Sequence, residues 1–270
     1  MPRFRYCLNA STIRTTPILQ QIRAAGEAGY EGIELWHDAI DDYLRRGGTL
    51  ASLRAALSDH HLAVPTTIYL GGWFDATAEA YPRVLDECRR RMQQAAELGA
   101  THVIAGPAAG ACDVPLGAAR YAELLRCGRE WGVLPAMEFL GFVGQLNTIE
   151  SALEVMELSG QADATIVLDP FHIFRGGGSV ESIAKLTASQ IAISHFNDTP
   201  ASPPREEQHD HCRVMPGDGH LNLRQYVRLL ADTGYDRFLS LELFREDLWS
   251  QDPTEVARRG LERMRDVVES

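Results

Sequence analysis

Three acids and one histidine stand at or near the ends of short apolar runs in the second half of the chain. Glu138 follows Leu134-Pro-Ala-Met, Asp169 follows Thr165-Ile-Val-Leu, His195 lies in Gln190–Phe196, and Glu242 lies in Arg237–Leu243. Such runs suit strands buried on both faces. A polar residue at the carboxyl end of such a strand is where parallel α/β folds place their chemistry. Three converging carboxylates repel one another and hold protons unless a cation joins them. With one imidazole they make a hard, oxygen-dominated set for a single divalent ion, Mn²⁺ or Zn²⁺ ahead of Co²⁺ and Mg²⁺. Taken singly, each residue reads as an ordinary polar group on a solvated rim; four on consecutive strands favour Glu138, Asp169, His195 and Glu242 as metal ligands.

Other residues near these ends carry weaker signals. His172 either hydrogen-bonds a group behind the ligands or donates to a substrate oxygen. Arg213, in Arg-Val-Met-Pro-Gly-Asp-Gly, stands beside a shaped turn and is read as facing substrate. Asp198 either orients His195 or caps its loop. Trp36, Trp73, Phe171 and Phe196 are mainly core, with Trp36 and Trp73 the candidates for walls of a substrate pocket. Arg175-Gly-Gly-Gly-Ser179 could cradle a phosphate through its N–H groups, but a flexible loop is the better reading. His209-Asp210-His211 reads as an exposed loop. Pro170 biases Asp169 towards extended backbone, so no helix is expected to begin at that acid.

The elements that must position these groups alternate without a break. Strands are expected at Phe4–Ala10, Gly32–Trp36, Ala63–Leu70, Thr101–Ala105, Leu134–Phe139, Thr165–Asp169, Gln190–Phe196 and Arg237–Leu243. Helices are expected between and after them: one opened by Thr16-Pro17 and stopped by Gly29, then Leu50–His60, Tyr81–Leu98, Leu116–Trp131, Thr148–Leu158, Val180–Leu186, Leu221–Thr233 and Pro253–Val268. Strict alternation implies a parallel sheet with helices outside. Eight units in this length imply α/β architecture of one kind, a single (β/α)8 TIM barrel over residues 1–270. A long loop is expected at 197–220, with its proline-rich, charged stretch Pro200–Gln208 exposed, and loops of that length are usually functional or disordered.

Composition narrows the partners. The chain has 270 residues and a net charge of −11. An acidic surface argues against nucleic acid or an anionic membrane. No run approaches the roughly 20 apolar residues that span a bilayer. Five cysteines, an odd count at wide spacing without C-x-x-C, fit a reducing compartment, and the expected location is cytoplasmic. Nothing bars a homo-oligomer.

Six segments carry a resemblance: Cys7-Leu-Asn-Ala-Ser-Thr12, Met137-Glu-Phe-Leu-Gly141, Val167-Leu-Asp-Pro-Phe-His172, His195-Phe-Asn-Asp-Thr199, Arg213-Val-Met-Pro-Gly-Asp-Gly219 and Leu241-Glu-Leu-Phe-Arg245. The chain resembles, nearly end to end, the sugar phosphate isomerase/epimerase branch of the xylose isomerase-like barrels, and within it most closely the inosose (2-keto-myo-inositol) isomerases of inositol catabolism. The resemblance implies one divalent ion on Glu138, Asp169, His195 and Glu242, with His172 and Arg213 contacting substrate oxygens. It implies an isomerase or epimerase that moves a proton on a polyhydroxy ketone through an enediolate, with Glu138 and Glu242 as the acid–base pair. Related isomerases tend to carry an acid immediately before the arginine, where this chain has Cys212, and the insert around Pro203–His211 is this chain's own; both border the expected pocket. A dehydratase acting on an inosose or a dehydroshikimate-like acid would share the first step. A non-catalytic sugar-binding barrel is a third reading, disfavoured by an intact ligand set. Apurinic endonucleases share the superfamily but need further histidines after strands three and four, where this chain reads Tyr69-Leu70-Gly71 and Ala105-Gly106-Pro107.

Overall fold

The apolar runs close on themselves. A computed structural model describes residues 4–269; Met1–Arg3, at the charged start of the chain, lie outside them. Eight parallel strands among these residues form a closed barrel in chain order: β1 (Arg5–Asn9), β2 (Gly32–Trp36), β3 (Thr66–Leu70), β4 (His102–Ala105), β5 (Leu134–Glu138), β6 (Thr165–Leu168), β7 (Ile191–Phe196) and β8 (Phe238–Leu241). β8 pairs with β1 to complete the ring. The helices are α1 (Ile18–Ala28), α2 (His37–Arg45), α3 (Leu50–Asp59), α4 (Tyr81–Glu97), α5 (Val114–Trp131), α6 (Ile149–Ser159), α7 (Pro170–Arg175), α8 (Leu223–Asp232), α9 (Glu246–Trp249) and α10 (Pro253–Glu269). The fold is the expected (β/α)8 barrel. Among the described residues no helix is long and apolar enough to cross a membrane.

Alternation along the strands divides the buried side chains. Cys7, Ile68, Ile104, Ala136, Val167, Ile193 and Phe238 form a small inner cluster. The larger cluster, including Leu8, Ile33, Leu35, Val103, Met137, Ile166 and Leu239, joins the strands to the helices. α5 ties the wall together at one buried hydroxyl: Tyr121 Oη lies 2.9 Å from Pro135 O and 3.0 Å from Thr165 O, and accepts the Thr165 N–H at 3.3 Å. It therefore links β5 and β6, the strands that end in Glu138 and Asp169.

Four local expectations are corrected. Thr16 does not cap α1; Pro17 occupies the cap position without a side-chain bond, while Gly29 ends the helix in the left-handed region as expected. A helix not expected, α2, follows β2 at once; Asp38 in its first turn and Arg45 in its last suit the helix dipole. The expected helix at Val180–Leu186 is a 3-10 turn, Val180–Lys185. α7 begins directly after Asp169, because an extended residue is what a helix cap requires: at φ −146° and ψ 119° Asp169 accepts the N–H groups of Phe171 and His172, with Pro170 as the first helical residue. The bias of Pro170 on Asp169 was legible; that it creates a cap was not.

Removing the Tyr121 hydroxyl should loosen this wall. We expect Tyr121→Phe to cost about 1–3 kcal/mol by stranding buried backbone groups, read by chemical denaturation. An unchanged midpoint would show that the hydroxyl is not a tie.

Candidate metal centre

Asp169, His195 and Glu242 each offer a ligand atom, and these atoms lie within 4.8 Å of one another, all buried. His195 Nδ1 is 3.0 Å from Glu242 Oε2 and 3.5 Å from Asp169 Oδ2. Glu138 stands at the edge of this group, its Oε1 3.7 Å from His195 Nδ1, and its side chain is 13% exposed against 1–5% for the others. The four residues named from sequence thus converge on one point, three tightly and Glu138 more loosely.

Local structure fixes each one. Asp169 is held by its capping bonds and by Asn197, whose Nδ2 lies 3.1 and 3.3 Å from the two carboxylate oxygens. Glu242 follows β8, and Thr12 steadies that end by donating to Leu241 O at 3.0 Å and accepting Leu243 N–H at 3.1 Å. Asn9 Nδ2 donates to Glu242 Oε1 at 2.9 Å. Trp36 in turn donates from Nε1 to Asn9 Oδ1 at 2.9 Å, and its ring meets Phe244 edge-on. Trp36 therefore borders the mouth. Trp73 does not: it is fully buried in the core, its ring against Phe74 and Tyr121, which corrects the expectation that it walls the pocket. Phe196 is likewise core, against Tyr226.

Arg213 is buried and reaches the ligands directly. Its Nη1 donates to Asp169 Oδ2 at 2.8 Å and to Glu242 Oε2, and its Nη2 donates to Asp210 Oδ1 at 2.9 Å. The guanidinium lies between the rings of Phe171 and Phe244, 4.8 and 5.3 Å from their centroids. The segment that delivers it is ordered. Asp198 and Val214 exchange backbone bonds at 3.1 and 2.8 Å, and the Asp198 carboxylate accepts the N–H groups of Thr199, Gly217 and Leu221. Asp198 is thus a loop cap. Gly219 is needed for this turn, since a Cβ there would stand 2.2 Å from Asp198 Oδ1 and 2.4 Å from Thr199 O. Arg175 braces the loop by bonding the carbonyls of Gln208 and Glu206, and the N–H groups of Gly176, Gly177 and Gly178 are taken by the α7 carbonyls of His172, Phe174 and Ile173 rather than left free for a phosphate. Asp210, read from sequence as an exposed loop residue, belongs with Arg213.

Sequence reasoning missed one acid altogether. Glu34 on β2 is fully buried. It accepts from Asn9 Nδ2 at 3.2 Å and from the hydroxyls of Thr66 and Ser240, and its Oε1 is 3.4 Å from His195 Nε2. The available signal was a charged residue inside an otherwise apolar strand, Gly-Ile-Glu-Leu-Trp, which has to be paired when buried.

Electrostatics test the fit of a cation. Four carboxylates face one guanidinium and one imidazole, so negative charge is in surplus even with His195 protonated. Burial alone would discharge His195, but Glu242, Glu34 and Asp169 outweigh it and raise its pKa well above the ordinary value. Burial also opposes charge on Asp169, yet Arg213, His172 and His195 hold it far below the usual carboxylate range. Burial pushes Glu138 up to about 8, with Glu242 and Asp169 adding to the rise. Both nitrogens of His195 are buried, and neither is aligned for a hydrogen bond. A hard divalent ion supplies the missing charge and a partner for Nδ1, so the residues fit one.

Removing a ligand should separate from removing a contact. Asp169→Ala and His195→Ala are expected to lose a bound divalent ion, and Arg213→Ala to retain it, by elemental analysis of protein purified without chelator. Retention in both ligand variants would misplace the site. Binding should also release protons, because His195 and Glu138 carry them in the metal-free protein. Both groups have raised pKa values, so affinity should climb as pH rises from about 6 to 8. Titration calorimetry in buffers of different ionisation enthalpy reads the release; a pH-independent affinity would contradict it.

The family model for xylose isomerase-like TIM barrels matches residues 22–267. An inosose isomerase of Halalkalibacterium halodurans is 27% identical over 98% of this chain and 96% of its own. A 3-dehydroshikimate dehydratase of Pseudomonas aeruginosa is 26% identical over 84% of this chain but only 36% of its own length. A solved structure of the IolI protein with a bound zinc atom, 24% identical, shares the fold with a TM-score of 0.91 over 98% of both chains. The chain belongs to the xylose isomerase-like TIM barrel family.

Proposed function

We propose that the protein is a divalent-metal-dependent isomerase or epimerase of an inosose or a related polyhydroxy ketone. One observation carries the acid–base part: the two candidate carboxylates are not equivalent. Glu242 is pinned by Asn9 and Arg213. His195 and Arg213 overcome its burial and lower its pKa. Glu138 stands at the edge of the group, more exposed, with a pKa raised to about 8. A carboxyl titrating near neutrality can both take and return a proton. Full-length similarity to inosose isomerases supports the substrate class.

A divalent ion on Glu138, Asp169, His195 and Glu242, zinc or manganese first, would supply Lewis acidity towards a carbonyl oxygen. The chain's own residues do the rest. Glu138 removes the proton α to the carbonyl, giving an enediolate, and the Glu138–Glu242 pair returns it to carbon. Burial lowers the His172 pKa to about 4, so the ring is neutral. Its Nδ1 accepts the Gly141 N–H at 3.2 Å, which leaves Nε2 as the protonated nitrogen. That nitrogen lies 3.0 Å from Arg213 Nη2. Two donors facing each other are both satisfied by one acceptor oxygen, and a substrate hydroxyl or enediolate oxygen fits that role. Trp36 walls the mouth beside them.

The dehydratase reading rests on a specific likeness, to 3-dehydroshikimate dehydratase, and begins with the same proton abstraction. The product separates the two. Incubation with 2-keto-myo-inositol in D₂O should give an isomeric ketone of unchanged composition with deuterium at the reacting carbon. A product lighter by one water would falsify the isomerase reading. Glu138→Gln should lower kcat by about 10²–10⁴-fold while metal remains bound; wild-type kcat in this variant would assign the proton to another group.

A further inference from the structure

We infer that Glu34 is a positioning residue that fixes the tautomer of His195, keeping Nδ1 free to ligate; this rests on the metal reading above. The two ring nitrogens face different surroundings. Nδ1 points at Glu242, Asp169 and Glu138. Nε2 faces Glu34 Oε1 at 3.4 Å. His195 is fully buried, and although Nε2 is not aligned for a hydrogen bond in this arrangement, the Glu34 carboxylate beside it is the charge that favours a proton on that nitrogen. A neutral imidazole carries one proton. With that proton on Nε2 the Nδ1 lone pair faces the ligand oxygens; with it on Nδ1 the ring cannot ligate there.

The barrel is built to hold Glu34 still. The strand register sets Asn9 beside Glu34 and His195 beside Ser240. Glu34 receives donors from three further strands: Asn9 on β1, Thr66 on β3 and Ser240 on β8. Ser240 and Asn9 both bond Oε1, the oxygen that faces His195. Asn9 Nδ2 also bonds Glu242 at 2.9 Å, so one amide ties the acid behind the histidine to a ligand in front of it. A carboxylate behind a ligating histidine orients the ring and raises its basicity, and losing such a partner costs about 10–100-fold in metal affinity.

The test uses the full chain loaded with Zn²⁺ alone. In wild type, long-range ¹H–¹⁵N spectra should show His195 protonated at Nε2 and metallated at Nδ1. Glu34→Gln keeps the shape and an acceptor oxygen, and should weaken Zn²⁺ by about 10-fold in chelator competition; Glu34→Ala should weaken it by about 100-fold and broaden or shift the His195 signals. Thr66→Val, which removes one bond to Glu34 but leaves the carboxylate, should change affinity less than either. Circular dichroism monitors the fold. Wild-type spectra with the proton on Nδ1 would overturn the inference even if the variants failed to fold, as would folded Glu34→Ala with wild-type affinity. Failure of wild type itself to bind Zn²⁺, Mn²⁺ or Co²⁺ would instead remove the metal reading, and this inference with it.

Discussion

The constraint on which this structure turns is a surplus of negative charge buried at one end of the barrel. Glu34, Glu242 and Asp169 are each less than 5% exposed, and Glu138 leans over them. Removing ionised carboxylates from water is costly unless they are paired and hydrogen-bonded. Much of the surrounding structure serves to pair them. Asn9 bridges two of the acids, Asn197 and the start of α7 hold a third, and Arg213 spans Asp169 and Glu242. What the chain's own cations leave unbalanced is the charge that makes a divalent ion fit. The same surplus separates the acids into roles. Asp169 and Glu242, met by Arg213 and His195, are held ionised, and the one at the edge, Glu138, keeps its proton into the neutral range. Position in one electrostatic cluster therefore sets Glu138 apart from the acids behind it.

The barrel was legible because its strands are short, mainly apolar runs separated by helix patterns with glycine stops, and strict alternation leaves few topologies. The ligand set was legible for a related reason. Glu138, Asp169, His195 and Glu242 interrupt apolar runs at one end, and the end of a strand has a known place in such a fold. Glu34 was not legible in the same way. It lies in the middle of its strand, where side-chain direction decides whether it meets solvent, a helix or the barrel axis, and its partners come from strands 1, 3 and 8. α7 was missed because the residue that a proline forces out of the helical region is also the residue a helix can use as its cap. Trp73 shows the converse: an aromatic residue just past a strand end is as well placed for the outer core as for the mouth.

The loop between β7 and α8 delivers Arg213 to the candidate ligands. The resemblance places an acid at position 212, beside the arginine, and this chain has Cys212 there. Asp210, three residues before Arg213, takes its Nη2, and a 3-10 turn over Asp210–Cys212 makes that spacing close. The insert that carries Asp210 is held by bonds from Arg175 to Gln208 and Glu206 and by Gln208 Nε2 to Pro200 and Pro203. Phe171 and Phe244 flank the guanidinium from the ends of β6 and β8. These contacts hold the cation over the ligands. The candidate ligands thus come from strand ends, and the cation above them comes from a loop braced by its own bonds.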